Sequence, residues 1–364
     1  MGLTAGVIGL PNVGKSTIFN ALCSGKAPAE NYPFCTIDPN TGMVAIPDDR
    51  LGRIAALIPT QKVVPALLEL VDVAGLVRGA SKGEGLGNQF LGHIRNVDAL
   101  VHVVRCFAND DVVHVEGAVD PLRDVETVNT ELLLKDLETL ERGLDRAGKA
   151  AKSGDKKLKA RVEALEKAHA AVAEGTPVRA LLSAADMASA LKDFSLLTAK
   201  KVLYVANVDE NGLQEEPPGV AALRQHASGG GAECIALCGK VEAEIAELPP
   251  AEQSEFLESM GLPEPGLHML ARSAYHLLGL ITFFTAMPKE SRAWTVTEGT
   301  HAVTAAGQIH TDMERGFICA EVFRLEDLEA VGSDAALRSA GKIRQEGKDY
   351  AVRDGDIIQF RFNV

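Results

Sequence analysis

Over the first hundred residues, hydrophobic positions fall into short continuous runs separated by helix-periodic stretches. Ala5–Gly9, Leu67–Asp72 and Ala99–Arg105 read as buried strands, and Lys15–Cys23 and Asn88–Asn96 as helices. Apolar runs return at Val202–Asn207 and Glu233–Leu237. Strands this apolar, alternating with helices, predict a largely parallel sheet covered on both faces, an α/β fold. The middle of the chain changes period. Leu133, Leu137, Leu140 and Leu144, then Leu158, Val162, Leu165, Ala168 and Val172, make two stripes on either side of a Ser153-Gly154-Asp155 turn. That spacing predicts an antiparallel helical hairpin with a coiled-coil-like seam.

Beyond Gly279 the pattern becomes short alternating strands, Ala293–Thr297, Phe317–Val322 and Asp356–Phe362, with turns at Glu298-Gly299 and Asp354-Gly355. A small β-rich domain is expected there. The net charge of −13 over 364 residues argues against wrapping of nucleic acid by the whole surface. Charge is nevertheless uneven. From Arg142 to Lys167 nine Lys/Arg face four Asp/Glu, and Lys149, Lys152, Lys156, Lys157, Lys159 and Arg161 crowd the hairpin tip. Such a patch is either a solvated face or a phosphate-binding tip. No apolar run is long enough for a membrane span, and the N-terminus lacks the basic flank of a signal peptide. Six cysteines without CxxC spacing fit free thiols in a reducing cytoplasm.

The strongest chemical signal is Gly9-Leu-Pro-Asn12-Val13-Gly14-Lys15-Ser16, which fits G-x-x-x-x-G-K-[ST] and sits between a strand and a helix. Its amides can close around a polyphosphate at a helix N-terminus. Lys15 then neutralises the outer phosphates and Ser16, followed by Thr17, offers a hydroxyl to Mg²⁺. Asp72-Val-Ala-Gly75 ends a second strand, placing Asp72 to hold Mg²⁺ through water and Gly75 to turn its N–H to the terminal phosphate. Thr36, in Asn31-Tyr-Pro-Phe-Cys-Thr36, could complete the metal shell. Six glycines between Gly75 and Gly92 are costly to order, as suits a nucleotide-sensing switch.

Guanine is usually read by Asn-Lys-x-Asp at a strand end. Here the strand ends Asn207-Val208-Asp209-Glu210, with valine for lysine and a longer acid, and Cys238-Gly239-Lys240 follows the next strand. A site built for two hydrogen bonds to one base edge loses discrimination when that geometry shifts, so guanine selectivity should be weak. Leu76 stands where many GTPases carry a water-orienting glutamine, and leucine cannot polarise water. His114, in the polar loop Cys106–His114, is the best candidate to replace it, against the rival reading of a structural loop histidine that the residues alone favour; Arg78 is a weaker candidate for charge stabilisation.

Together GLPNVGKST, NYPFCTIDPN, DVAGLVRGASKGEGLGNQFL, CFANDDVVHV, the N-x-x-E base motif and TAAGQIHTDMERGFICAEV resemble the YchF family of Obg-like ATPases, P-loop proteins of the translation-factor class. The likeness spans essentially the whole chain. It implies a P-loop NTPase G domain (1–120 and 200–278) with an inserted antiparallel helical hairpin (121–199), then a small β-grasp-like TGS domain (279–364). It also implies hydrolysis of ATP in preference to GTP and association with ribosomes through rRNA. The chain is then expected to be a cytoplasmic monomer that uses neither membrane nor DNA. The family's catalytic histidine falls on His114, working beside Lys15. Its base site falls on Asn207, Val208 and Glu210, with Cys238 and Gly239 beside it, and its Mg²⁺ ligands on Ser16 and Thr36. Asn12 matches a P-loop asparagine that binds K⁺ in some related GTPases, which adds K⁺ as a second cation. The competing readings are a GTP-selective switch and a ribosome-binding scaffold that uses nucleotide for regulation alone.

Overall fold

The computed structural model describes residues 3–24, 40–76, 78–79, 86–109, 111–152 and 155–363, with the side chains of 86–90 and 250 excepted. Thr36 and most of the glycine-rich stretch (77 and 80–85) lie outside the described residues. In chain order the strands are β1 (Thr4–Ile8), β2 (Thr41–Ala45), β3 (Val63–Val64), β4 (Leu67–Asp72), β5 (Ala99–Arg105), β6 (Lys201–Asn207) and β7 (Glu233–Leu237). They continue with β8 (Leu280–Ala286), β9 (Ser291–Thr297), β10 (Phe317–Phe323), β11 (Arg344–Glu346) and β12 (Ile357–Phe362). The first five helices are α1 (Lys15–Ser24), α2 (Asp49–Leu57), α3 (Leu86–Asn96), α4 (Pro121–Ala151) and α5 (Lys156–Ala173).

One sheet runs β2-β4-β1-β5-β6-β7. The pairs from β4 through β7 are parallel, with Val7 level with Asp72 and Val101, and Ala206 level with Ala236. All seven residues of β5 are buried, as a central strand covered on both faces requires. Because β1 lies between β4 and β5, the strand order reverses at its carboxyl end, the position where open α/β sheets bind ligands.

Helix α4 starts on Asp120, whose carboxylate accepts from Arg123 N at 3.2 Å, with Pro121 in the first turn. It runs for 31 residues. Helix α5 starts on Asp155, which accepts from Lys157 N at 2.7 Å. Their seam buries Leu140, Ala164, Leu165, Ala168 and Val172, whereas Leu158 and Val162 near the tip are half-buried. The expected hairpin is therefore present but not bare. Val178, Met187, Leu191 and Leu196 from the following segment close the seam. Asp136 on α4 holds that segment, accepting from Leu197 N at 2.7 Å, Thr198 N at 2.8 Å and Thr198 Oγ1 at 2.6 Å.

By internal contacts the chain forms two units, residues 1–43 with 69–274, and 44–68 with 275–364. The second unit's sheet runs β11-β10-β12-β8-β9-β3, mixed in direction. A helix at Ala302–Ile309 lays Ala302, Ala305 and Ala306 on the sheet's core of Phe283, Val296, Val322 and Phe360. This is the TGS-like domain, but it takes in residues 44–68, which the sequence pattern assigns to the first domain. The reason is non-local. β3 pairs in parallel with β9, Arg50 on α2 binds Asp354 at 2.7 Å, and Arg53 binds Glu329 at 2.8 Å. Among the described residues no helix is long and apolar enough to cross a membrane.

Candidate active site

The chain leaves β1 in a loop that only particular residues can form. Gly9 packs so closely on β5 that a Cβ would lie 2.6 Å from the Val103 carbonyl oxygen. Asn12 takes a left-handed backbone (φ 62°), a conformation asparagine tolerates better than most side chains. Gly14 is left-handed too (φ 89°), and a Cβ there would lie 2.2 Å from Asn207 Nδ2. Asn207 is thus a strut beneath the loop. Its Nδ2 donates to Val13 O at 2.8 Å, and its Oδ1 accepts from Gly239 N at 2.9 Å. The phosphate loop and the expected base-binding loop are joined through one buried side chain.

Those loops open onto a cavity of about 780 Å³, ample for a nucleotide. Asn12, Gly14, Thr17, Asn207, Val208, Glu210, Cys238 and Gly239 line it, as expected from sequence. Val13 is buried, its carbonyl turned to Asn207. Asp209 also lines the cavity, and its Oδ1 caps the next helix by accepting from Gly212 N at 2.8 Å. Glu210 stands at the position of the motif's final acid, and its carboxylate accepts from Lys240 Nζ at 2.8 Å. Cys238 is buried, and burial pushes its thiol up, so it stays protonated. The five described cysteines are free.

Lys15 is buried and ion-paired with Asp72. Ser16 is exposed, and its hydroxyl makes no hydrogen bond among the described residues. Gly75 abuts the loop, where a Cβ would lie 3.1 Å from Pro11 N, and Leu76 N donates to Gly9 O at 3.0 Å. The Leu76 side chain is buried.

His114 is not at the cavity wall. It is buried, and both ring nitrogens are engaged. Glu116 N donates to Nδ1 at 3.2 Å, so Nε2 carries the proton and its N–H donates to Asp124 Oδ2 at 2.8 Å. Burial raises the Asp124 carboxyl, and the adjoining histidine pulls it the other way. The neighbours of His114 are turned outward, with Val113 77% and Val115 46% exposed. The loop is tied to the phosphate site by Asn12 Nδ2, which donates to Val113 O at 3.1 Å. Arg78 pairs with Glu116 at 3.0 Å rather than reaching the cavity.

Sequence reasoning missed Asp124 and Arg105. Arg105 is buried at the end of β5 and donates to the carbonyls of Phe107 (3.1 Å), Asn109 (3.1 Å) and Val112 (3.0 Å). Its guanidinium also lies 4.6 Å from the Phe107 ring centroid. Phe107, Asn109 and Val112 line the cavity, so this arginine shapes one wall of it. The available signal was a charged residue ending a run that is apolar apart from His102, since a buried charge must find partners.

The chain is similar to known proteins over its whole length. Residues 4–139 match a family described as "50S ribosome-binding GTPase". Residues 280–363 match the YchF-type GTPase C-terminal family, described as "Protein of unknown function (DUF933)". The chain is 51% identical to the "Ribosome-binding ATPase YchF" of Bacillus subtilis, covering 100% of both chains. It is 45% identical to "Obg-like ATPase 1" of Oryza sativa subsp. japonica, over 100% of this chain and 92% of that one. The solved "YchF GTPase" of Schizosaccharomyces pombe superposes with a TM-score of 0.89 at 35% identity, over 99% of this chain and 97% of the other.

Proposed function

The chain belongs to the YchF family, and on that premise we propose that it is a cytoplasmic, ribosome-associated nucleoside triphosphate hydrolase that takes ATP in preference to GTP. The base pocket carries the ATP reading. A guanine reader needs an unengaged carboxylate to accept two N–H bonds, whereas Glu210 is bound to Lys240 and Val208 is apolar. Competition between ATP and GTP for the purified chain at matched Mg²⁺ tests it, and tighter binding of GTP overturns it. The GTP-selective reading has its own support, since the Schizosaccharomyces pombe relative is titled a GTPase. The Val208→Lys, Glu210→Asp double variant should move this chain toward GTP.

The donors fit Mg²⁺. Ser16 Oγ and the Asp72 carboxylate are hard oxygens, and the described residues hold no cluster of three His, Cys, Asp or Glu side chains that would cage a metal alone. That suits an ion that keeps water and phosphate oxygens as its other ligands. Bound there, it would neutralise charge on the outer phosphates, and Thr36 is proposed as a further ligand. Asn12 offers its Oδ1 to K⁺, its Nδ2 being committed to Val113.

The protein's own groups divide the work. The loop amides and Lys15 bind the phosphates, Asn207 holds both loops in register, and buried Leu76 excludes water. His114 is the proposed water-orienting group once its loop rearranges and Glu116 N releases Nδ1, the ring acceptor, while Nε2–H stays on Asp124. His114→Ala should bind ATP normally and lose turnover. Wild-type turnover in that variant overturns the role and points to another water-orienting group, whereas ATP binding without turnover in the wild-type chain would favour a scaffold that uses nucleotide for regulation alone.

A further inference from the structure

A second cavity, of about 300 Å³, lies between the end of α3, the middle of α4 and the 192–195 turn. Three guanidinium groups line it, those of Arg95, Arg142 and Arg146. Arg142 is paired with Glu138. Arg95 and Arg146 make no side-chain ion pair or hydrogen bond among the described residues. The acid in the lining, Asp193, is already bound to Arg161 at 2.9 Å. In a chain carrying 50 Asp/Glu against 37 Lys/Arg, two exposed arginines that make no side-chain hydrogen bond or ion pair, beside a third, are a site for an anion, even with Arg95 within electrostatic reach of the buried Asp136.

We propose that this cavity seats a phosphate of an RNA strand. The inference rests on the ribosome-associated reading above and says which surface makes the contact. Its walls are firm. Lys200 Nζ donates to the carbonyls of Arg95 and Val97, fixing the end of α3. Gly143 lets the Phe194 ring pack directly on α4, where a Cβ would lie 2.3 Å from Cε1.

The occupant is a polymer rather than a free phosphate because the positive charge does not stop at the cavity. Arg142, Arg146 and Lys149 recur on one face of α4, and exposed Lys152, Lys156, Lys157 and Lys159 follow at the tip. From Arg142 to Lys152 is about 15 Å of helix, longer than one phosphate group.

The test is fluorescence anisotropy of fluorescein-labelled oligouridine on the full chain and on Arg95→Gln, Arg146→Gln. Both positions are exposed and outside the nucleotide cavity, so ATP affinity should not change. RNA affinity should fall roughly tenfold, and the slope of log K against log salt should become shallower by about 0.7, one phosphate contact's worth on a single strand. Unchanged affinity and slope overturn the seat. So does displacement of the oligouridine by inorganic phosphate at equal ionic strength, which would make a small anion the ligand. Ribosome co-sedimentation separates the two levels. If wild type fails to pellet with ribosomes, the ribosome reading itself fails; if wild type and variant pellet equally, only the seat does.

Discussion

Replacing Asn207 by alanine removes one side chain that satisfies two buried backbone groups, Val13 O at 2.8 Å and Gly239 N at 2.9 Å. Each orphaned group costs about 1–3 kcal/mol. Water entering from the adjoining cavity recovers part of that, so the expected loss of folding stability is about 2–4 kcal/mol. Because the two groups belong to the phosphate loop and the base loop, the loss falls on nucleotide binding as well. At about 1.4 kcal/mol per factor of ten, ATP affinity should drop at least roughly tenfold. Urea denaturation gives the first quantity, and titration with a fluorescent ATP analogue the second. Asn207→Asp sharpens the test. It keeps the acceptor for Gly239 N but sets a carboxylate oxygen against the Val13 carbonyl, so it should be no better than alanine. An alanine variant within about 1 kcal/mol of wild type, or an aspartate variant that binds ATP normally, would refute the strut.

Arg105→Met removes the donor to three loop carbonyls while keeping bulk, and should weaken ATP binding by roughly tenfold, measured by the same titration. Gly143→Ala drives a methyl against Phe194 and should lower stability by about 1–3 kcal/mol in thermal or urea unfolding. Glu242 is buried and accepts from Gly266 N at 2.7 Å, yet burial outweighs those bonds and raises its carboxyl above the usual range. The folded state therefore holds this proton more tightly than the unfolded state. Its contribution is fully present below the ordinary glutamate range and is lost as pH rises through the raised value. Urea unfolding between about pH 4 and 8 should show wild type losing stability relative to Glu242→Gln as pH increases. A gap that is flat or opposite in sign refutes the assignment.

What was legible in the sequence is what neighbours in the chain decide. The Gly9–Ser16 motif, the run Ala99–Arg105 and the strand ending at Asn207 each carry their signal within a few residues, and β4, β5 and β7 fall at the expected boundaries. The leucine stripes gave the hairpin, but not the segment through Leu196 that closes its seam, because that segment has no heptad of its own. Allocation of 44–68 to the second unit was hidden for a different reason. β3 is two residues long, and its partner β9 lies more than two hundred positions away. Likewise a motif could nominate His114 but not announce Asp124, since both ring nitrogens find partners only once the loop is folded.

The bond between Lys15 and Asp72 has an outcome beyond holding two side chains together. Paired in this way, the cation meant for phosphate and the anion meant for magnesium cancel each other. A lone divalent ion would have to strip Asp72 from its lysine and strand that charge in a buried place. A lone polyphosphate would leave the aspartate facing it. Arriving as a chelate, the two swap one neutral arrangement for another at little electrostatic expense. The pocket is thus wired as a coincidence gate, and calorimetry should find each component feeble by itself and strongly synergistic in combination.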